Sequence, residues 1–491
     1  MSKYVLGKKF GQSGKGEYVI YDPDAKETTN PHILIAGPSG SGKSILIRAL
    51  IGELKLDNKI LMVFDLHGDL ETPGENLVEY TARNTEFGIN PFEFDCDIKN
   101  GGPDVRVDVI IDIFKKNFMP GMGALQQGVL KSLLEDTYKY KGIFDDLPGT
   151  WAFEDNESHP LDVGLTEEEA RAQRKGEEDR KLPTMSDLKD VYDMVIRYIN
   201  NGKDETYFSI AEKAYQVKQK LDNATSNTTA SKYSQELDGL IKTLEESGKE
   251  FLEYLKGERE TFGSSVEVHR IDFDRYNDKQ AKRTLESLSE YIKIFAGMNI
   301  FTQQKPKLVA GLNRIDLTGF TNTAKPEYAL FFIDLSIQRI FRKCKLLGEY
   351  SKRPEEKRRR GEKVETYVVA DESRLILPTG KEKDNPYNIL NRVVLEARKY
   401  GLGIIFASQR IEHYSAELLS NIHTKLILKT DDSDIATTLK TLGLGKTTYL
   451  NTVNERDGVA LLIQAGKHPQ MVKLNCWENI VEGQEYIRDI A

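Results

Sequence analysis

The sequence predicts an α/β protein whose sheet-forming halves are split by a long helical insertion. Three observations carry that reading. A glycine-rich loop lies between an apolar strand and a helix at 32–50, a second apolar strand ends in adjacent carboxylates at 366–372, and helical periodicity dominates 104–297 between them.

Taken in order, residues 4–21 alternate apolar and polar around Gly11 to Gly16, and 1–30 is assigned to a small N-terminal β-hairpin. The GQSGKG run inside it lacks the spacing and the preceding strand of a phosphate loop, so it reads as a turn.

The next element is the anchor of the chain. Gly37, Pro38, Ser39, Gly40, Ser41, Gly42, Lys43 and Ser44 fit G-x-x-x-x-G-K-[ST] at every position, and Ile45 follows them into the helix. His32 to Ala36 forms the strand before the loop, and Ile45 to Leu50 has helical spacing after it. The glycines let successive amides turn toward phosphate oxygens at the positive end of that helix. Lys43 would reach the β- and γ-phosphates of ATP, and Ser44 would ligate Mg²⁺.

Lys59 to Asp65 is a strand ending on a carboxylate. Delivered beside the phosphate loop, Asp65 would put a negative group near the metal or the attacking water. Phe87 to Phe92 closes this first lobe, 31–103. In the insertion, Val107 to Lys115, Leu125 to Tyr140, Ser186 to Ile199, Ile210 to Leu221, Ser234 to Lys256 and Lys279 to Phe295 have amphipathic helical spacing. Thr184 and Ser186 stand as caps after Pro183, and 154–181 is an exposed charged stretch.

The second lobe, 298–491, resumes the alternation with a strand at Leu312 to Leu317 and a helix at Tyr328 to Leu347. Lys352 to Lys363 holds seven basic residues, among them Arg358, Arg359 and Arg360, diluted by three glutamates. A solvated loop or a contact to a DNA backbone fits that run. Thr366 to Glu372 is the strand ending in carboxylates: Asp371 would hold Mg²⁺ through water, and Glu372 would polarise the water that attacks the γ-phosphate. Asn391 to Gly401 is a helix leading into Gly403 to Gln409, a strand whose tip places an amide able to sense γ-phosphate. Gly443 to Thr447 imitates the end of a phosphate loop, but Lys440 occupies the first glycine position and a helix precedes it, so it reads as a turn.

Composition excludes other classes. The 491 residues carry a net charge of −8, so the chain as a whole is no basic glove for nucleic acid, although a ring can confine its basic residues to a channel. Three scattered cysteines and seven histidines without paired spacing give no disulfide or zinc framework. No apolar run approaches the ~20 residues of a membrane span, and no signal core follows the N-terminus, so a cytoplasmic protein is expected.

The motif order now becomes specific. A phosphate loop, a strand ending Asp-x-His-Gly-Asp, a helical insert, a strand ending Asp-Glu, Glu-x-Arg-Lys-Tyr-Gly and a strand ending Ala-Ser-Gln together resemble the HerA/FtsK superfamily of DNA-pumping ATPases. Asn421 to Leu428 and Asp457 to Leu462 are similar to that family's last core strands, while Asn90 to Phe92 and Leu182 to Leu188 also resemble ATPases of type IV secretion and conjugation. The resemblance implies a RecA-like P-loop NTPase core and matches Lys43 and Ser44 to the phosphate-loop pair, Asp65 to the acidic second-strand position, Asp371 and Glu372 to the Walker B pair and Gln409 to the sensor. It matches Arg398 to an arginine that projects into a neighbouring subunit's site, a device worth ~10³–10⁵ in rate in other phosphate-loop enzymes. A helix C-terminal cation is the alternative reading of Arg398. No stretch matches the large N-terminal barrel of HerA proteins or the winged helix of FtsK proteins.

The expectation is therefore a homo-oligomeric ring, hexameric by resemblance, that hydrolyses ATP with Mg²⁺ to translocate or process double-stranded DNA, with a partner nuclease or effector in DNA processing or anti-phage defence. Two alternatives stand beside it: a type IV secretion or conjugation ATPase, and a nucleotide-gated scaffold that activates a partner.

Overall fold

The computed structural model describes residues 3–11, 17–56, 59–81, 88–99, 101–151, 182–201, isolated positions within 214–221, 231–243, 273–298, 300–301, 308–309, 311–321, 327–346, 348–349, 352, 364–377, 389–445 and 448–476. The charged stretch 154–181, the basic run with Arg358 to Arg360, most of the candidate helix 210–221 and the later part of the one at 234–256 lie outside them. Two compact units result: one takes 1–89, 113–120 and 302–491, the other 90–112 and 121–301.

The first unit holds eleven described strands: β1 (Tyr4–Lys9), β2 (Tyr18–Tyr21), β3 (Ile33–Ala36), β4 (Ile60–Asp65), β5 (Asn76–Glu79), β6 (Leu312–Asp316), β7 (Thr366–Ala370), β8 (Leu402–Ser408), β9 (Thr424–Ile427), β10 (Val459–Gln464) and β11 (Gln470–Leu474). They form one sheet in the order β2-β1-β11-β10-β9-β3-β8-β7-β4-β6-β5. From β9 to β5 every neighbour is parallel, and from β9 to β2 every neighbour is antiparallel. The sequence dictates the division. Strands β3, β7 and β8 are buried at every residue, as parallel strands covered on both faces must be. By contrast β2 alternates exposed and buried, the pattern of an antiparallel edge.

This is the RecA-like P-loop fold that the motifs predict, with the N-terminal hairpin continuing the sheet through β11. Helix α1 (Lys43–Leu56) buries Leu46, Ile47, Leu50, Ile51 and Leu54, which share a core with Ile33, Ile35, Val63, Val369 and Ile405. Fully burying one such side chain contributes roughly 1.5–3 kcal/mol, enough to offset the ordering of its own backbone. No described helix is long and apolar enough to cross a membrane.

Register fixes where the loops emerge. Ala36 pairs with Ser408 and Ile427, Ala370 with Phe406, and Phe64 with Ala370, so β3, β8, β7 and β4 end along one edge of the sheet. Ligands of open α/β sheets bind at such carboxyl ends.

Helix α2 (Pro103–Asn117) is followed in the second unit by α3 (Ala124–Tyr140), α4 (Met185–Asn201) and α5 (Lys279–Ala296), which pack on one another. Their shared apolar residues include Leu130, Leu133 and Leu134, then Leu188, Val191 and Val195, then Leu285, Leu288 and Ile292. Thr184 and Asp187 exchange hydrogen bonds at the start of α4, a reciprocal cap in which Asp replaces the usual Glu. Buried Asp136 accepts from the Tyr276 hydroxyl at 2.7 Å and pairs with Arg275, which ties the turn at Phe273–Tyr276 to α3. Back in the first unit, α6 (Glu327–Leu346) and α7 (Ile389–Glu396) follow, and α8 (Ile435–Leu442) ends at Gly443 with φ 67°, the turn expected at the imitation loop.

Candidate active site

The phosphate loop joins β3 to α1. Gly40 and Gly42 have φ of 78° and 92°, values that side chains rarely adopt, and a Cβ on Gly37 would lie 2.6 Å from Ser41 Oγ and 2.9 Å from Leu428 Cβ. Pro38 and Ser39 carry the loop outward, and Ile45 packs back against the core. Lys43 is buried and donates to the carbonyls of Gly37 at 2.8 Å and Pro38 at 3.0 Å, so its ammonium is curled into the loop. Ser41 Oγ is buried with no partner among the described residues, a free hydroxyl in the cradle that fits an anionic oxygen. A cavity of about 110 Å³ runs beside Gly40, Ser41 and Gly42, bordered by Lys429, Arg456 and Asp457.

Asp371 follows β7 and is almost fully buried. Burial pushes its carboxyl up to about 6, helped by Asp69 and Glu372 and opposed by the Glu372 N–H and by Lys43. Glu372 is the one described residue other than glycine with positive φ, 48°. Ser373 next to it donates to the Ala407 carbonyl at 2.6 Å and meets the Tyr414 hydroxyl at 2.5 Å, which clamps the strained turn onto β8. At the end of β8, Gln409 Nε2 donates to Glu372 Oε1 at 3.3 Å. Lys43, Ser44, Asp371, Glu372 and Gln409 thus stand at the ends of three strands of one sheet edge.

Asp65 is placed differently from the expectation. Its strand β4 is separated from β3 by β8 and β7, and its buried carboxylate is engaged by Arg314 at 3.0 Å and by the amides of His67, Gly68 and Leu70. The carboxylate on Ser44 is Asp69, which accepts from Ser44 Oγ at 2.6 Å. Sequence reading missed it because it marked the strand's last residue and not the loop beyond. The set of Ser44 hydroxyl with Asp69 and Asp371 is hard oxygen chemistry that fits Mg²⁺.

Arg398 is exposed in the turn Ala397–Tyr400, just before β8 begins, and its charge acts on His32 and His423 at the amino ends of β3 and β9. It therefore sits at the edge of the sheet opposite the phosphate loop of its own chain.

Comparison with known proteins agrees with the motifs. Residues 16–99 match the family described as the central domain of helicase HerA. A 62-residue stretch, 13% of this chain, is 36% identical to the DNA double-strand break repair helicase HerA of Pyrococcus furiosus and spans 11% of that relative's length. In three dimensions the chain is similar to VirB4 of Thermoanaerobacter pseudethanolicus over 96% of each chain, with TM-score 0.55 and 15% identity. The bacterial conjugative coupling protein TrwBdeltaN70 aligns over 91% of this chain and 85% of its own at TM-score 0.47 and 11% identity. The chain is thus similar to HerA-like ATPases in the sequence of its first lobe and shares its overall fold with VirB4.

Proposed function

We propose that the chain is an ATP-hydrolysing motor that assembles as a ring, hexameric by resemblance, and moves or processes double-stranded DNA together with a partner nuclease or effector. The observation that carries this reading is the alignment of Lys43, Ser44, Asp371, Glu372 and Gln409 along one sheet edge. The HerA likeness of 16–99 supports DNA as the load.

In this reading the loop amides and the start of α1 hold the β- and γ-phosphates, and Lys43 exchanges the Gly37 and Pro38 carbonyls for phosphate oxygens. Ser44, and Asp371 through water, would hold Mg²⁺, which would supply neutralising charge on those oxygens. Glu372 takes a proton from water as the water oxygen bonds to the γ-phosphorus and the bond to the bridging oxygen of ADP breaks. Gln409 reports the change through its contact with Glu372. Arg398, too far along the strand to serve its own loop, serves the site of a neighbouring copy, which is why the motor needs a ring.

The test is ATP turnover with duplex DNA, single-stranded DNA and no nucleic acid over a salt series, with Glu372→Gln as control. Duplex stimulation that fades with salt is expected; turnover indifferent to every nucleic acid overturns the DNA reading. A second reading, a secretion or conjugation motor, is supported by the likeness of Asn90 to Phe92 and Leu182 to Leu188 to those ATPases. Stimulation by single strands alone would favour it.

A further inference from the structure

The hydrogen bonds around Asp65 lead, residue by residue, to Ser44. Asp65 Oδ1 accepts from the amides of His67 at 3.2 Å and Gly68 at 2.7 Å, and Oδ2 accepts from the Leu70 amide at 3.2 Å and from Arg314 Nη1 at 3.0 Å. Every one of those amides flanks Asp69. Arg314 is itself held by Glu75 at 2.8 Å and Asp316 at 3.4 Å, and Asp316 binds both the amide and the hydroxyl of Thr318. The Thr318 methyl lies 3.3 Å from where a Cβ on Gly68 would stand, and Gly68 has φ 78°. The loop is thus pinned before and after Asp69, and Asp69 is left exposed at its tip with Oδ2 2.6 Å from Ser44 Oγ.

We infer that Asp69 orients the Ser44 hydroxyl toward the nucleotide-bound cation, and that Asp65 and Arg314 are positioning residues that fix the loop presenting it. The inference rests on the ATPase reading above and deepens it. By taking the hydroxyl hydrogen, Asp69 turns the lone pairs of Ser44 Oγ outward, where a hard cation can use them. Partners of this kind set metal affinity from behind the ligand. Asp65 cannot do this itself, because both of its oxygens are already engaged. A buried carboxylate is tolerable only when so satisfied. Arg314 supplies the compensating charge, and its planar fork reaches Asp65 and Glu75 together in a way a lysine ammonium does not reproduce.

The experiment follows a fluorescent ATP analogue binding to the full chain, titrated with Mg²⁺ and repeated in EDTA, alongside amide exchange of the nucleotide-free protein. Asp69→Ala is expected to raise the Mg²⁺ needed for half-maximal effect roughly 10–100-fold and to cause no loss of binding in EDTA. Asp65→Asn and Arg314→Lys are expected to shift the Mg²⁺ requirement in the same direction by a smaller factor. They should also speed exchange at the Gly68 and Leu70 amides, which Asp69→Ala leaves protected. Wild-type Mg²⁺ dependence in Asp69→Ala overturns the assignment of Asp69. Unchanged loop exchange in Arg314→Lys and Asp65→Asn overturns the positioning role. If the wild type binds no nucleotide, the ATPase reading falls first and takes this one with it. Should Asp65→Asn fail to fold, Arg314→Lys and Asp69→Ala still decide the matter.

Discussion

Gln409 donates its side-chain amide to Glu372 at 3.3 Å, which joins the tips of two adjacent parallel strands through the residue with the strained backbone. One oxygen of the glutamate is thereby oriented by protein, leaving the other for solvent. Its φ of 48° is set by the turn and by the Ser373 contacts to β8, so aim and strain have a common cause.

Glu372→Gln should bind ATP normally and lose turnover by a factor on the order of 10²–10⁴, the usual worth of a positioned base. Glu372→Gly should lose turnover too, yet melt no lower than the wild type. A left-handed conformation costs a side chain roughly 1–2 kcal/mol, while glycine loses about 0.5–1 kcal/mol through chain entropy. Thermal melting checks this, and a fall of many degrees would mean that the turn is not strained.

Asp371 gives a pH signature. Its carboxyl is raised to about 6, so between its unfolded pKa of 3.8 and 6 the folded chain binds more protons than the unfolded one. Stability from this group is therefore greatest in acid and is lost as pH rises through that window. Asp371→Asn should flatten that part of the stability profile in chemical denaturation.

His32 runs the other way. It is buried, its Nδ1 accepts from the Ile404 amide at 3.1 Å, and its Nε2 donates to the Val394 carbonyl at 2.9 Å. Burial lowers its pKa to about 4, so below 6.5 the unfolded chain binds the extra proton and stability is lost as pH falls. His32→Gln should be less stable than wild type at pH 7.5 and lose less on going to pH 5, as measured by urea denaturation at both values.

Arg398 and Lys43 should complement in trans. Arg398→Ala and Lys43→Ala should each be inactive alone. A mixture lets a Lys43→Ala copy lend its Arg398 to the intact loop of an Arg398→Ala copy, so partial turnover should return on mixing. Titration of one variant into the other checks it, and activity that stays at the background level in every ratio would exclude an arginine supplied by a neighbour.

What was legible in the sequence was local. Gly37 to Ser44, Asp371 with Glu372, and Gln409 are each a strand end with a short motif, and α2 to α6 follow from apolar spacing. What was hidden depends on partners far away in the chain. The place of β4 beyond β7 is strand order, which no window of sequence carries, and it moves Asp65 off the loop. The role of Asp69 needs the Arg314 side chain from 249 residues away to hold Asp65. Strand β5 escaped because four residues with two polar ones give no period. The φ of Glu372 was invisible because no glycine marks it.

The pairing of β1 with β11, Gly7 opposite Leu474, sets a clock on biosynthesis. Strand β1 leaves the ribosome long before β11 and must wait for it, and at about 5–20 residues per second that is roughly half a minute or more. During that interval β1 has β2 on one side and a bare row of amides and carbonyls on the other, an invitation to pair with the same strand of a nascent neighbour. The chain therefore has reason to be guarded by chaperones until β11 arrives.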